Sequence, residues 1–462
     1  MTSAPKLFRR VRHVHMVGIG GSGMCGIAEV LLNLGFTVSG SDLQLSEVTE
    51  RLARLGATIC EGHSADNLKE TDVVVFSSAV RPENVEVRRG RELHIPTIPR
   101  SEMLAELMRL KRGIAVAGTH GKTTVTSMIG SILQYAELNP TLIVGGIVRS
   151  LESGAQAGTG ELLVAEADEF DRSFLRLSPT LAVITTIEAE HLDTYTDVED
   201  IKDAFVEFAN NTPFYGSVVA CADDRGVQDV LPRIKRQTVT FGLESRSDYR
   251  AHDLVHQEGR VTFRVSGPEI KAEQASLNVP GEHNVLNALA AIAVCAELDV
   301  PFATTKSALE RFSGVRRRFE IKRRDSDLVV VDDYAHHPTE IRQTLRTARA
   351  CWPERRIVAL FQPHLYSRTR DFADEFANAL AEADLALVTE IFGARERPIE
   401  GVHSEMIINR LGSGSQTPSL LLTPSDIAAE ALSHTKVGDV LVVMGAGSIT
   451  READRIAASS RS

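Results

Sequence analysis

The sequence predicts an α/β protein of three domains, each built on a mostly parallel sheet with helices on its faces. Three observations carry that reading. Short apolar runs bounded by turn residues alternate with helical stretches along the chain. Two of the strand-to-helix junctions hold glycine clusters, around Gly20 and around Gly121. The chain has 462 residues, which at roughly 150 residues per domain is enough for about three cores.

The first segment, residues 1–111, opens on an apolar strand from His13 to Ile19 that ends in glycines. Helical spacing then runs to Leu34, and a second strand covers Phe36 to Ser41 and ends at Asp42. Val73 to Ser77 reads as a short buried strand and Glu102 to Arg109 as a helix. The second segment, 112–313, restarts with the strand GIAVAG at Gly113, a glycine loop and a helix from Thr123 to about Ala136. Buried strands are predicted at Glu161 to Ala165, Leu181 to Ile187 and Ser217 to Cys221. From Gln237 to Pro280 short alternating stretches such as VTFRVSG predict antiparallel strands at one side of the domain, before an alanine-rich helix from His283 to Leu298. The third segment, 314–462, begins at the basic run Gly314 to Arg318. It carries strands at Leu328 to Asp333, Arg356 to Phe361, Leu385 to Glu390 and Val440 to Met444, with helices starting near Pro338, Thr369 and Ser425.

Composition narrows the function classes. Hydrophobic residues at 43% and charged residues at 24% are ordinary globular values, which exclude a fibre or wholesale disorder. The net charge of −11 argues against a coat for nucleic acid or for an anionic membrane surface, so an anionic ligand must be held by local devices. No apolar run approaches the roughly 20 residues of a membrane span, and the opening MTSAPKLFRRVRHVHMVGIGG has no signal-peptide pattern. The expected address is the cytoplasm, with no nucleic-acid and no membrane partner. Five scattered cysteines without a CxxC pair suggest buried thiols rather than a disulfide framework or a thiolate zinc site.

The first glycine cluster, Gly18-Ile19-Gly20-Gly21-Ser22-Gly23 followed by Met24, lies between a strand and a helix, with Asp42 22 residues beyond Gly20. Glycines let the backbone approach a pyrophosphate, which the helix N-terminus then holds, and an acidic residue at that spacing suits a ribose. By itself this reads as a dinucleotide site with Asp42 on a ribose. The second cluster is Gly118-Thr119-His120-Gly121-Lys122-Thr123-Thr124. It supplies backbone donors for phosphate oxygens, a lysine for the β- and γ-phosphates and a Thr123 hydroxyl suited to Mg²⁺, although Val116 stands where the general P-loop pattern has its first glycine. An NTP site needs metal ligands. Glu166-Ala167-Asp168-Glu169 and Glu188-Ala189-Glu190-His191 each follow a buried strand and offer carboxylates and an imidazole. The third segment carries Asp332-Asp333-Tyr334-Ala335-His336-His337 and, after another strand, His364 with Arg368 and Arg370. These suit proton handling and a clamp for a carboxylate or phosphate. The fold is thus expected to comprise a Rossmann-like first domain, a central P-loop ATPase-type sheet with a small antiparallel part, and a Rossmann-like third domain.

Taken together, GIGGSGM, AGTHGKTT, EADE, IEAEHLDTY, PGEHNVLNA, RRFE, DDYAHHPTE and FQPH with SRTRD, in that order over nearly the whole chain, resemble the Mur ligases, the ATP-dependent amide-forming enzymes of peptidoglycan precursor synthesis. Within the family the motifs fit the member that joins L-alanine to the lactyl carboxylate of UDP-N-acetylmuramate through an acyl phosphate. The resemblance implies a UDP-sugar-binding domain over 1–111, an ATP- and Mg²⁺-binding domain over 112–313, and a closing domain over 314–462. It puts a UDP diphosphate in place of a dinucleotide such as NAD at Gly18, Gly20, Gly21, Ser22, Gly23 and Met24, with Asp42 and His364 also toward the UDP-sugar. ATP would meet Gly118, Thr119, His120, Gly121, Lys122, Thr123 and Thr124, with Asn284 and Asn287 at the adenine and Arg318 and Asp333 from the third domain. Thr123, Glu166 and His191 would surround Mg²⁺. Lys122, Glu166, His191, His336 and Arg368 would carry the catalysis, with His336, His364 and Arg368 facing the muramyl carboxylate and the alanine.

Some positions depart from the family pattern. Later-acting relatives carry a carbamylated lysine some fifteen residues after the metal histidine; the matching place here, near Phe205, has none, and Lys202 is out of register. Leu365 stands where relatives can have an arginine, and MGAGSIT from Met444 to Thr450 has no assigned role. The alternatives are a ligase that recycles murein peptide onto the same sugar nucleotide, a non-catalytic UDP-sugar sensor, and an NAD-dependent oxidoreductase. A homodimer is left open.

Overall fold

The computed structural model describes residues 10–77, 79–148, 153–190, 194–244, 246–257, 259–394, 396–415, 417–422 and 426–459. Among these, three sheets carry the architecture. The first uses β1 (His13–Val17), β2 (Thr37–Asp42), β3 (Thr58–Glu61), β4 (Val73–Phe76) and β5 (Thr97–Pro99), with α1 (Ser22–Asn33), α2 (Glu47–Arg54), α3 (Val85–Glu92) and α4 (Arg100–Arg109). Its order is β3-β2-β1-β4-β5 and every pairing is parallel. Strand alternation divides the burial: Val14 and Met16 join the core under α1 and α4, whereas Val17 and Val74 meet Val87 of α3 on the other face. The strand order reverses between β1 and β4, which opens a crevice at their carboxyl ends.

The second sheet uses β6 (Arg112–Ala117), β7 (Thr141–Val148), β8 (Ser153–Gln156), β9 (Leu162–Glu166), β10 (Leu181–Ile184), β11 (Ser217–Cys221), β12 (Gln237–Gly242), β13 (Tyr249–Gln257), β14 (Arg260–Gly267) and β15 (Ile270–Leu277). Its helices are α5 (Lys122–Tyr135), α6 (Val198–Asn210), α7 (Arg225–Val230), α8 (Glu282–Ala296) and α9 (Phe302–Leu309). The order is β15-β14-β13-β12-β11-β10-β6-β9-β7-β8. The strand that feeds the second glycine loop, β6, lies between β10 and β9, parallel to both. The antiparallel reading of 237–280 needs correcting in part: β12 pairs in parallel with β11 and with β13. Alternating hydropathy reports one-sided burial and says nothing of strand direction. A further difference is that β10 ends at Ile184 rather than at Ile187, because Thr185, Thr186 and Glu188 hold the loop after β6.

The third sheet uses β16 (Glu320–Arg324), β17 (Leu328–Asp333), β18 (Ile357–Phe361), β19 (Leu385–Val388), β20 (Ser419–Leu421) and β21 (Asp439–Met444). Its helices are α10 (Pro338–Cys351), α11 (Tyr366–Asp371), α12 (Ala373–Leu380), α13 (Glu405–Gly414), α14 (Ile427–Ser433) and α15 (Ile449–Ala458). The order is β16-β17-β21-β18-β19-β20, with only β16 antiparallel to its neighbour. Val329 and Val331 pack with α10 and α12, and Leu328 and Val330 pack with α14 and α15, so the sheet is covered on both faces.

By contacts the chain forms two compact units: the residues up to His252 with Arg264–Ala275 and Leu286–Phe312, and Asp253–Phe263 with Ser276–Val285 and Ser313–Ser462. None of the five cysteines is in a disulfide, and four of them are buried. No helix among the described residues is long and apolar enough to cross a membrane.

Candidate functional site

In the first unit, Gly18 follows β1 with φ 76°, and its N–H and that of Ile19 donate to the Ser41 carbonyl at 2.8 and 3.1 Å. Gly20 N–H donates to Asp42 Oδ2 at 2.8 Å. Asp42 therefore pins the loop, and it also lines a cleft of about 820 Å³ with Gly18, Gly20 and Gly21. The N-cap of α1 is Gly21, which offers no side-chain acceptor; Met24 N–H turns back to the Gly21 carbonyl at 2.9 Å, while the Gly23 amide stays available to an anion. Met24 is buried beneath the loop, and the Ser22 side chain lies outside the described residues.

Behind this cleft is a polar network that sequence reading missed. Glu86 is fully buried and accepts from Ser41 Oγ at 2.5 Å and from Asn67 Nδ2 at 2.5 Å. His63, which lines the cleft, places Nδ1 3.1 Å from Glu86, and His15 lies 3.7 Å away. Burial would raise the Glu86 pKa, but these donors outweigh it and hold the carboxyl down at about 2.

The second loop follows β6. Gly118 has φ 135° and Gly121, the N-cap of α5, has φ 83°, so both stand where a side chain is strained. Thr119 N–H donates to the Thr186 carbonyl and His120 N–H to Thr186 Oγ1, both at 2.9 Å, and Thr185 Oγ1 donates to the His120 carbonyl at 2.5 Å. His120 Nε2 is 3.3 Å from Glu188. Asn287 places Oδ1 against Gly121, 2.6 Å from where a Cβ would stand. Thr123 and the buried Thr124 occupy the first turn of α5. Lys122 Nζ donates to the Gly118 carbonyl at 2.7 Å and to both Glu169 oxygens at 2.8 Å. Burial opposes the Lys122 charge, yet Glu169 and Asp168 overcome it and keep the ammonium protonated well above the ordinary lysine range. Glu169 is raised by its burial, with Lys122 opposing and Asp168 and Glu190 adding to the rise.

Across from this loop Glu166 ends β9, and Asp168 accepts from Phe170 N–H at 3.3 Å. Both line a smaller pocket of about 290 Å³ together with Gly21, Gly23 and Arg100. His191 lies outside the described residues. Phe205, where relatives place the modified lysine, is fully buried with its ring 5.2 Å from Phe174. Lys202 instead pairs with Glu199 and Asp229 at 2.7 and 2.8 Å.

In the second unit, Asn284 is buried and its Nδ2 donates to the Pro280 carbonyl at 2.6 Å. The buried Asp333 accepts from Phe319 N–H at 3.0 Å, Ala335 N–H at 2.9 Å and Thr344 Oγ1 at 3.2 Å. Burial pushes its pKa up to about 6, with Arg318 opposing and Glu340 adding. Asp333 thereby anchors the turn that presents Arg318, whose guanidinium is 3.6 Å from Glu340 and lies over the Tyr334 ring. His336, His364 and Arg368 come together: the two rings are 5.9 Å apart, and Arg368 Nη1 is 3.2 Å from His364 Nδ1. His336 Nδ1 faces the Tyr334 carbonyl at 2.9 Å and Glu340 at 3.1 Å. Both neighbours are acceptors, so Nδ1 is the nitrogen that donates to them. Leu365 has φ 70° and donates its N–H to the Phe392 carbonyl at 3.0 Å. The segment MGAGSIT turns from β21 into α15, with Gly445 N–H on the Asp333 carbonyl at 3.1 Å and Ile449 N–H on Gln362 Oε1 at 3.2 Å.

Comparison with known proteins agrees with this arrangement. The chain matches the family models described as the Mur ligase family catalytic domain over residues 13–112, the Mur ligase middle domain over 116–295 and the Mur ligase glutamate ligase domain over 317–447. It is 50% identical over 452 residues to the UDP-N-acetylmuramate--L-alanine ligase of Pelobacter propionicus, covering 97% of this chain and 98% of that one. It is 48% identical over 451 residues to the protein of the same name from Geotalea daltonii, with 97% and 98% covered. Among solved structures it resembles the UDP-N-acetylmuramate-alanine ligase of Thermotoga maritima, with a TM-score of 0.80 at 33% identity over 96% of this chain and 98% of that one. A murein peptide ligase from Psychrobacter arcticus gives 0.70 at 28% identity, with 96% and 98% covered. With matched models spanning its length and half its residues shared with such relatives, the chain belongs to the Mur ligase family.

Proposed function

We propose that this chain is the ATP-dependent ligase that joins L-alanine to the lactyl carboxylate of UDP-N-acetylmuramate, giving UDP-N-acetylmuramoyl-L-alanine, ADP and phosphate in peptidoglycan precursor synthesis. One observation carries the reading beyond the relatives' names. The pocket of about 290 Å³ has the first glycine loop on one wall and Glu166 and Asp168 of the phosphoryl-transfer region on another. A group carried by a ligand in the first loop therefore reaches the place where phosphate is transferred.

The domains we assign are 1–111 for the UDP-sugar, 112–313 for ATP and metal, and 314–462 for the amino acid and closure over ATP. Gly18, Gly20, Gly21, Ser22, Gly23 and Met24 take the UDP diphosphate, and Asp42 takes the ribose. The loop from Gly118 to Thr124 takes the ATP phosphates. To ATP we further assign Asn284 and Asn287, for the adenine, and Arg318 and Asp333 of the third domain.

A carboxylate is a poor electrophile, so it is first phosphorylated by ATP to an acyl phosphate. Lys122 offsets charge on the transferring phosphoryl group, which is catalysis by positioning and electrostatics. The Thr123 hydroxyl and the Glu166 carboxylate are hard oxygen donors that fit Mg²⁺, and the absent side chain at Gly145 leaves room at Glu166, since a Cβ there would stand 2.7 Å from Oε2. His191 completes the expected set. When bound, Mg²⁺ supplies further neutralisation of phosphate charge. His336 Nε2 accepts the proton of the alanine ammonium, and His364 and Arg368 hold carboxylates near it. A cytoplasmic location agrees with these substrates.

Phosphate release from ATP in the presence of UDP-N-acetylmuramate, with L-alanine, glycine, L-serine or a tripeptide added in turn, tests the reading. Release that depends on L-alanine is expected. Dependence on the tripeptide alone would assign the recycling reaction, and no release with any acceptor would assign a sensor.

A further inference from the structure

We infer that Arg100 is the residue that grips the lactyl carboxylate of the sugar nucleotide while it is phosphorylated, an inference that rests on the function proposed above. Arg100 opens α4 directly after β5, at the carboxyl edge of the first sheet. Its guanidinium lies along the first turn of α1, where a Cβ on Gly23 would stand 2.6 Å from Nη1. Among the described residues its guanidinium makes no hydrogen bond and no ion pair, whereas Lys111 and Lys122 are both engaged. It lines the smaller pocket and is the one cation among the described residues that do so, facing Glu166 and Asp168.

The two pockets share Gly21, Ser77 and Ala79. A diphosphate held at that shared rim sends uridine into the larger cleft, beside Asp42, and the sugar into the smaller pocket, beside Arg100. The lactyl carboxylate then enters a space that already holds two protein carboxylates. Like charges at such range repel, so the substrate needs a cation on its own side. The guanidinium fork matches a carboxylate with two parallel hydrogen bonds, which also fixes the direction from which the oxygen attacks.

The test compares binding of UDP-N-acetylmuramate with that of UDP-N-acetylglucosamine, which has the same uridine diphosphate but no lactyl group, by titration calorimetry on the full chain and on Arg100→Met and Arg100→Lys. Arg100→Met is expected to weaken UDP-N-acetylmuramate by roughly tenfold to a hundredfold, as for a lost charged hydrogen-bond pair, and to leave UDP-N-acetylglucosamine within about twofold. Arg100→Lys, which keeps the charge and loses the fork, should fall between. Gly23→Ala, which forces the guanidinium aside without removing it, should weaken the muramyl ligand more than the other. Equal losses on both ligands would place Arg100 on the diphosphate and overturn the inference, and so would no loss on either. If the unsubstituted chain bound neither sugar nucleotide, the proposed function itself would fail. Thermal unfolding of each variant confirms folding; should Arg100→Met not fold, Arg100→Lys alone decides by the same contrast.

Discussion

Lys122 Nζ donates to both Glu169 oxygens at 2.8 Å each and to the Gly118 carbonyl at 2.7 Å, with the Thr119 carbonyl at 3.4 Å. Its three donors are all engaged. The Gly118 carbonyl is fixed in the loop, so a phosphate oxygen reaches Lys122 by taking the place of the Glu169 carboxylate. Glu169→Gln weakens that competitor, because an amide offers one neutral acceptor in place of two charged ones. The expected result is a KM for ATP lower by roughly three- to tenfold with kcat changed less, as for partial loss of a charged hydrogen bond. Steady-state rates across ATP concentration check it; a raised KM would mean that Glu169 orients Lys122 for ATP instead of competing with it.

Gly118 has no substitute. Its φ of 135° is disfavoured for any side chain, and a Cβ there would overlap Thr185 Oγ1 and stand 2.9 and 3.0 Å from the Thr186 and Thr185 nitrogens. Those are the groups that hold the loop against β10. Gly118→Ala should lower unfolding stability by about 2–4 kcal/mol and abolish measurable ATP binding, a combination read by urea denaturation and nucleotide titration. Full ATP affinity in a folded variant would show that the loop shape does not govern nucleotide binding.

Both glycine loops were legible in the sequence because each is local: strand, turn and helix follow within a few residues, and the physics of anion binding needs nothing distant. The partner of Lys122 was not legible. Glu169 is 47 residues away and reaches the lysine only because β6 and β9 pair in register, Val116 opposite Glu166. The sequence showed a run of acids after a strand and read it as metal ligands, without telling which acid turns toward the lysine. Arg100 escaped for the same reason. In PRSEML it looks like any arginine at a helix start, and only the fold brings it beside Gly23 and opposite Glu166. Phe205 is the reverse case: the absence of lysine there was plain from the sequence, and its burial against Phe174 shows that the place is used for packing.

Gly145 sets the room available to the carboxylate of Glu166, the metal ligand we propose. A Cβ at this position would stand 2.7 Å from Glu166 Oε2 and 3.4 Å from Cδ, too close unless the carboxylate swings away. Gly145→Ala should therefore raise the Mg²⁺ concentration needed for half-maximal activity by roughly tenfold, in line with other losses of ligand orientation. Activity titrated with Mg²⁺ at saturating ATP measures it, and an unchanged Mg²⁺ requirement would remove Glu166 from the metal site.

Glu86 ties acid stability to the cleft of about 820 Å³, which His63 lines. Its pKa in the folded chain is about 2 against an ordinary 4.5, because the donors around it favour the ionised form more than burial disfavours it. A depressed carboxylate contributes stability above its unfolded pKa and loses it as pH falls toward the folded value. A shift of this size corresponds to about 3 kcal/mol, fully present at neutral pH, declining below about pH 4.5 and gone near pH 2. Glu86→Gln keeps the shape and removes the charge. Its urea midpoint should lie below that of the parent chain at pH 7, and the gap should narrow steadily as the pH is lowered from 5 to 3. Since His63 loses its orienting partner, the same variant should also bind UDP more weakly, by roughly threefold to tenfold. A stability gap that stays constant with pH would show that Glu86 acts through packing and not through its charge.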